Sequence, residues 1–225
     1  MGSVLIRVSI TINSEMKTAK IGAENMLGNV YNQLNQADFF IPARLCPSVG
    51  IGDHALGRGF GYYSHKYSLA FDNIISMGMV NTTGDILQVD FIINSNLYFV
   101  LRGANYGIVM HFVFCIHRTP PQVTYIELEF NKTNMNQVYQ LFDTFNEVGP
   151  SLDGGIALTI RLNKSSLSIT GLYLGPCTEA QNAIGCFINA SNSISTKFIP
   201  QTFFEFVEAL SKQPNKQAIK VLVDF

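Results

Sequence analysis

The stretch Cys46-Pro47-Ser48-Val49-Gly50-Ile51-Gly52-Asp53-His54-Ala55-Leu56-Gly57-Arg58-Gly59-Phe60-Gly61 decides how the rest of this chain is read. Glycine turns a backbone through φ > 0 and brings it close to a ligand with no Cβ in the way. Gly50, Gly52, Gly57, Gly59 and Gly61 follow a single cysteine and a proline turn. They predict a loop wrapped against a ligand with its N–H groups turned inward, a nest suited to anions and polar cofactors. By spacing alone, a turn-rich connector that binds nothing is an equal reading. Two phosphate loops are excluded. No Lys-Ser or Lys-Thr follows these glycines as a P-loop requires, and their rhythm is not that of a dinucleotide fingerprint.

Around this stretch, 225 residues with 47% apolar and 14% charged side chains allow one or two domains with proper cores. A net charge of −1 without a basic run gives no nucleic-acid footprint. No uncharged apolar span is long enough for a transmembrane helix, so no membrane partner is expected. The start, residues 1–16, alternates apolar and polar residues and reads as a strand rather than a signal peptide, which leaves localisation open. Cys46, Cys115, Cys177 and Cys186 form no CxxC pair, and His54, His65, His111 and His117 have no zinc spacing, so no metal site is expected. His111 and Cys115 sit in an apolar run and are expected in the core. Sequons at Asn81, Asn131, Asn163 and Asn189 support secretion only faintly.

Periodicity lays out the elements. Val4 to Ile12 alternates as a half-buried strand, residues 18–22 make a second, and Met26, Leu27, Val30, Tyr31 and Leu34 share a helix face. Residues 74–80 and 86–91 form a hairpin about Thr82-Thr83-Gly84-Asp85; residues 94–102 are a short helix and 106–117 a long apolar strand. Met77 and Met79, at period two, belong to sheet packing, and Tyr62, Tyr63 and Tyr67 to packing under the glycine segment. Pro120-Pro121 is the best internal boundary. Beyond it come a strand at 123–130, an amphipathic helix bearing Met135, Val138, Tyr139, Phe142 and Phe145, strands at 155–162 and 167–174, helices at 180–190 and 202–210, and a strand at 218–225. Both halves are α+β. Glu127 and Glu129 are a carboxylate pair on one strand face, which is most often a solvated face.

In this order the pieces resemble the FAD-linked oxidases of the vanillyl-alcohol-oxidase (PCMH-type) superfamily, in their berberine-bridge-enzyme-like branch. The residues that carry the resemblance are Ile41-Pro42-Ala43, Cys46 to Gly52, His54, Gly57 to Gly61, Lys66-Tyr67, Leu69-Ala70, Asp72-Asn73, Thr83-Gly84-Asp85, Leu101-Arg102-Gly103 and Gly107-Ile108-Val109. Weaker similarity continues through Gly171 to Gly175 and Thr178-Glu179-Ala180. The resemblance implies that residues 1–119 are the second subdomain of a PCMH-type FAD-binding domain. It implies that residues 122–225 are the first part of an antiparallel-sheet substrate domain. The implied cofactor is FAD, with a thioether to Cys46 as its candidate covalent link, and the implied cofactor-binding residues are Cys46, Val49, Gly50, Gly52, His54, Gly57, Gly59, Gly61, Gly107, Ile108 and Val109. The implied activity is oxidation of an alcohol, sugar or related small molecule, with hydride passing to flavin N5 and then to dioxygen to give hydrogen peroxide.

The pattern also breaks. Glu24, Arg44, Asp53, Arg58 and Ser68 stand where the family usually has glycine, each adding a side chain where a backbone turns or comes close. Asp53 brings negative charge toward an anionic cofactor, and Arg44 and Arg58 are the candidates to offset it. The resemblance implies that the preceding subdomain and the later substrate-domain strands, with the catalytic base, lie outside this chain, so no catalytic residue is assigned. Cys46 is then either flavin-linked or an unreacted thiol in a half-built site, and His54 either lines the flavin or caps the helix that follows. The expectation is an FAD-dependent oxidoreductase impaired by truncation. The alternative is a non-catalytic remnant that binds flavin weakly or not at all. A partner chain covering exposed sheet faces is the third expectation.

Overall fold

A computed structural model of the chain describes residues 10–101, 106–130, 135–163, 166–190 and 193–211. The chain divides into two units, Met1–Thr119 and Pro120–Phe225.

The first unit is built on β1 (Thr11–Asn13), β2 (Thr18–Gly22), α1 (Leu27–Asn35), β3 (Phe39–Phe40), α2 (Ile51–Leu56), α3 (Ser64–Tyr67), β4 (Ile74–Val80), β5 (Ile86–Asp90), α4 (Ser95–Val100), β6 (Ile108–Cys115) and β7 (His117–Arg118). Its five-stranded sheet runs β1-β2-β6-β4-β5, and every neighbouring pair is antiparallel. Period-two alternation sends one set of side chains to each face. The register aligns Ile21, Phe112, Met77 and Val89 as one row across four strands, and all four are fully buried. The opposite row is Gly22, His111, Gly78 and Gln88. There a Cβ on Gly78 would lie 2.2 Å from Cε1 of His111, so the ring occupies the space the glycine leaves. His111 and Cys115 are therefore half-buried on the second face rather than in the core, because the strand's alternation turns them away from Phe112 and Phe114. Met77 and Met79 are buried, as sheet packing requires.

Asn73 ties the edges of this unit together. Its amide Nδ2 donates to the carbonyls of Tyr67 (2.8 Å) and Leu69 (2.9 Å), and its Oδ1 lies 2.7 Å from His117 Nε2. Because Nδ2 is spent as donor, Oδ1 is the acceptor and His117 carries its proton on Nε2. The His117 ring stacks at 4.4 Å on Tyr67, and Phe40 packs edge-on against Tyr63 and Tyr67. The β3–β7 pair that completes this corner is two residues long on each strand, below the length at which alternation is readable.

The second unit contains β8 (Val123–Phe130), α5 (Met135–Val148), β9 (Ile156–Leu162), β10 (Leu167–Tyr173), α6 (Cys177–Ala183), α7 (Gly185–Ala190), β11 (Ser193–Gln201) and α8 (Phe203–Ser211). The sheet order is β11-β8-β10-β9, antiparallel throughout. Ile126, Leu128 and Phe130 of β8, Ile169 of β10, Leu141 and Phe145 of α5 and Phe187 of α7 form its apolar core. On the other face of β8, Tyr125 meets Phe206 of α8 at 6.1 Å and Glu127 pairs with Lys197 at 3.4 Å. Glu127 is thus a partly solvated ion-pair residue and Glu129 is exposed.

Several boundaries differ from the sequence expectation. The single helix at 180–190 is two helices, interrupted at Ile184, whose ψ of 13° leaves the helical range before Gly185. β11 is an edge strand not foreseen, and its edge place is what lets Pro200 sit inside a strand. The expected strand at 218–225 lies outside the described residues, as does most of the one at 4–12. Among the described residues no helix is long and apolar enough to cross a membrane, and no three His, Cys, Asp or Glu side chains gather as a metal site.

Candidate functional site

Residues 47–52, a turn leading into the start of α2, are hydrogen-bonded along residues 23–28. Gly28 N–H donates to the Pro47 carbonyl (3.0 Å), Leu27 N–H to Val49 (2.9 Å), Ile51 N–H to Asn25 (2.8 Å) and Gly52 N–H to Ala23 (3.1 Å). This corrects the expectation of a nest with its N–H groups turned to a ligand: those of Ile51 and Gly52 are used inside the fold. The glycine segment is also not one loop. Gly50 is the N-cap of α2 and Gly57 its C-cap, and α3 follows at Ser64.

Packing accounts for most of the glycines. A Cβ on Gly52 would meet the Ala23 carbonyl at 2.9 Å, one on Gly61 the Ala43 carbonyl at 2.5 Å, and one on Gly59 the Ala70 Cβ at 2.5 Å. Gly59 and Gly61 are buried, so they serve the turn that returns the chain to Ala70 rather than an open surface. Gly50 alone in this run faces open space. Arg58 has φ +73° and Ser68 has φ +63° with ψ −168°, backbone that glycine adopts without strain and other residues do not.

His54, half-buried in α2, accepts a hydrogen bond at Nε2 from the Arg44 N–H at 2.9 Å. Burial, with the Arg44 charge beside it, pushes its pKa below the ordinary imidazole value, which keeps it the neutral acceptor this bond needs. His54 therefore ties residue 44 to α2. Tyr31 supports the same corner: its hydroxyl donates to the Arg44 carbonyl at 3.2 Å, and burial raises its pKa far above that of a free phenol.

Cys46 is exposed, with Sγ 3.4 Å from Ser48 Oγ. That hydroxyl lowers the thiol pKa most, desolvation opposes it, and the Ser48 amide and the Arg44 charge add to the lowering. An exposed thiol of lowered pKa is richer in the nucleophilic thiolate.

A cleft of about 410 Å³ gathers residues from three places in the chain. Ala23 and Glu24 come from the end of β2, Gly50, Gly52, Asp53 and Leu56 from α2 and its cap, and Gly107, Ile108 and Val109 from the start of β6. Of the residues singled out from the sequence, Gly50, Gly52, Gly107, Ile108 and Val109 meet here; Cys46, Val49, His54, Gly57, Gly59 and Gly61 do not line it. Glu24 and Asp53, noted only as breaks in a pattern, are the two charged residues among the described lining, and Arg44 and Arg58 do not line it. Leu56 and Ala23 were not foreseen. Their signal is tertiary: the hydrogen bonds above bring the end of β2 against the start of α2.

Residues 2–90 match the family model for an FAD binding domain. A chitooligosaccharide oxidase from Gibberella zeae is 31% identical over 170 residues, which are 74% of this chain and 34% of that protein. Berberine bridge enzyme-like 9 from Arabidopsis thaliana is 30% identical over 179 residues, covering 74% of this chain and 33% of its own. The solved structure of Physcomitrella patens BBE-like 1 superposes with a TM-score of 0.81 at 29% identity, over 88% of this chain and 44% of that one. Over these residues the chain matches the PCMH-type FAD-linked oxidases of the berberine-bridge-like branch. It spans about a third of the length of these curated relatives.

For an FAD-linked oxidase the two parts of this site differ in how they suit the cofactor. At Cys46 an exposed thiol of lowered pKa suits a bond to a flavin ring. In the cleft, the lining residues Glu24 and Asp53 lie beside the Ile51 and Gly52 N–H groups, which are already engaged inside the fold and so are not offered to a diphosphate.

Proposed function

We propose that this chain is the flavin-facing part of an FAD-dependent oxidoreductase acting on an alcohol, a sugar or a related small molecule. The first unit is the portion of the FAD-binding domain that presents Cys46, and residues 122–225 are the portion of a substrate domain. The observation that carries this reading is Cys46: an exposed thiol, its pKa lowered by Ser48, inside the segment that matches an FAD binding domain. When bound, FAD supplies hydride acceptance and reoxidation by dioxygen. The chain's own part is to hold the thiol as a nucleophile, through Ser48 and Arg44, and to fix that corner through His54 and Tyr31. Purified protein incubated with FAD is expected to keep flavin absorbance through acid precipitation, and Cys46→Ala to lose it. Protein that stays colourless after incubation with FAD overturns the reading.

A second reading has one observation in its favour. The acidic cleft, with the Ile51 and Gly52 N–H groups spent on Asn25 and Ala23, suits a non-catalytic relative that holds flavin weakly. Weak, fully reversible flavin binding without peroxide formation on any sugar or alcohol supports it over the first.

A further inference from the structure

Of the four Asn-x-Ser/Thr sequons, the one at Asn81-Thr82-Thr83 lies wholly among the described residues, in the turn between β4 and β5. Neither Thr82 nor Gly84, the residues that flank Thr83, is proline, so the sequon is intact as an acceptor. Asn81 is half-buried and residues 82–86 are exposed, so a glycan attached here runs into solvent.

The turn holds the Asn81 amide in a defined way. Its Oδ1 accepts from the Thr83 N–H (3.0 Å) and the Asp85 N–H (2.8 Å), and the Thr83 hydroxyl stands 2.7 Å from it. Its Nδ2 donates to Asp85 Oδ2 at 3.2 Å. The backbone closes the same turn: the Asn81 N–H donates to the Asp85 carbonyl (3.0 Å) and the Gly84 N–H to the Asn81 carbonyl (3.1 Å). Each of these bonds joins residues at most four apart. The turn therefore depends on no distant part of the chain and can form while the chain is still emerging. Donors on Oδ1 also draw electron density to the oxygen and acidify the Nδ2 protons, which eases attack by an otherwise inert amide nitrogen.

We propose that Asn81 is an acceptor of N-linked oligosaccharide. Nδ2 gives up one proton to solvent and bonds the anomeric carbon of a lipid-linked oligosaccharyl diphosphate. The bond from that carbon to the phosphate oxygen breaks, and the lipid diphosphate leaves with the electron pair. One Nδ2 proton remains, so by count the donor to Asp85 survives and the bonds to Oδ1 are untouched. The site is independent of the flavin reading and places the chain on the secretory route.

The test is peptide mapping of the protein isolated from its own cells, with glycans released by peptide N-glycosidase in heavy-oxygen water. The peptide bearing Asn81 is expected with residue 81 as aspartate carrying heavy oxygen, and a parallel digest without the glycosidase is expected unlabelled. Asn81 recovered as unmodified asparagine, or labelled equally in both digests, overturns the inference. The same mapping on the whole chain, secreted by a eukaryotic host behind a removable leader, separates this sequon from the other three. Thr83→Ala should abolish the label at residue 81, and Thr83→Ser, which keeps the hydroxyl, should retain it. A label that survives Thr83→Ala also overturns the inference, and each of these outcomes leaves the flavin reading standing.

Discussion

The five non-glycine residues with positive φ among the described residues, Lys17, Asp38, Arg58, Ser68 and Asn94, all lie before Thr119, whereas the sheet and helices after Pro120 contain none. The glycines with positive φ, Gly59, Gly84 and Gly107, fall on the same side. The second unit is held by a regular apolar cluster of strand and helix residues. The first combines a buried row across its sheet with a backbone bent at cost and pinned by side-chain amides. Strained backbone persists only where its surroundings over-determine it, and such places gather at ligand-facing walls. The contrast assigns scaffold work to the second unit and site-building to the first.

The strongest way to break this contrast is to cut each unit at its own kind of support. Leu128→Ala in the second unit should cost about 3 kcal/mol, as a fully buried leucine does. Asn73→Leu in the first should cost about as much, some 2–4 kcal/mol, because it strands two carbonyls and the His117 N–H. Chemical denaturation followed in both variants checks the pair; a negligible loss from Asn73→Leu removes the contrast. Ser68→Gly should stabilise by about 1–2 kcal/mol, since its φ of +63° with extended ψ is glycine backbone, and Arg58→Gly by somewhat less. Neither gain has a counterpart in the described second unit.

Acid should also divide the two units. All four histidines precede Pro120, and burial lowers the pKa of His54, His111 and His117 below the ordinary 6.5. The unfolded chain then takes up these protons first, so this part of the stability is whole above about pH 6.5 and is lost as pH falls through the folded values. Thermal melts of the first unit's signals from pH 7.5 to 5 should show the loss, and His54→Gln should reduce it. The smallest effect belongs to the Glu127–Lys197 pair, whose lysine is half exposed: Lys197→Met should change stability by less than about 0.5 kcal/mol.

How far the sequence was legible follows the same division. The alternation of Ile126, Leu128 and Phe130 with Glu127 and Glu129 and the Thr-Gly-Asp turn between β4 and β5 are local signals, and both elements stand where the pattern placed them. α2 was hidden because Gly50, Gly52 and Gly57 are poor helix residues; carbonyls of residues 23 and 25, distant in sequence, hold its start. β11 was hidden because an edge strand with Pro200 and few apolar residues depends on its single partner β8. The same holds for the site. Gly50 and Gly107 could be named from their motifs, but the meeting of Glu24 with Asp53 comes only from the pairing of the two segments.

The fixed orientation of the Asn73 amide gives the first unit a built-in clock. With the Nε2 proton of His117 held at 2.7 Å by Oδ1, that imidazole N–H exchanges with solvent only when the corner formed by β3, β7 and α3 opens. Its lifetime in a nitrogen-resolved proton spectrum of isotopically labelled protein would therefore time the breathing of that corner, without a ligand.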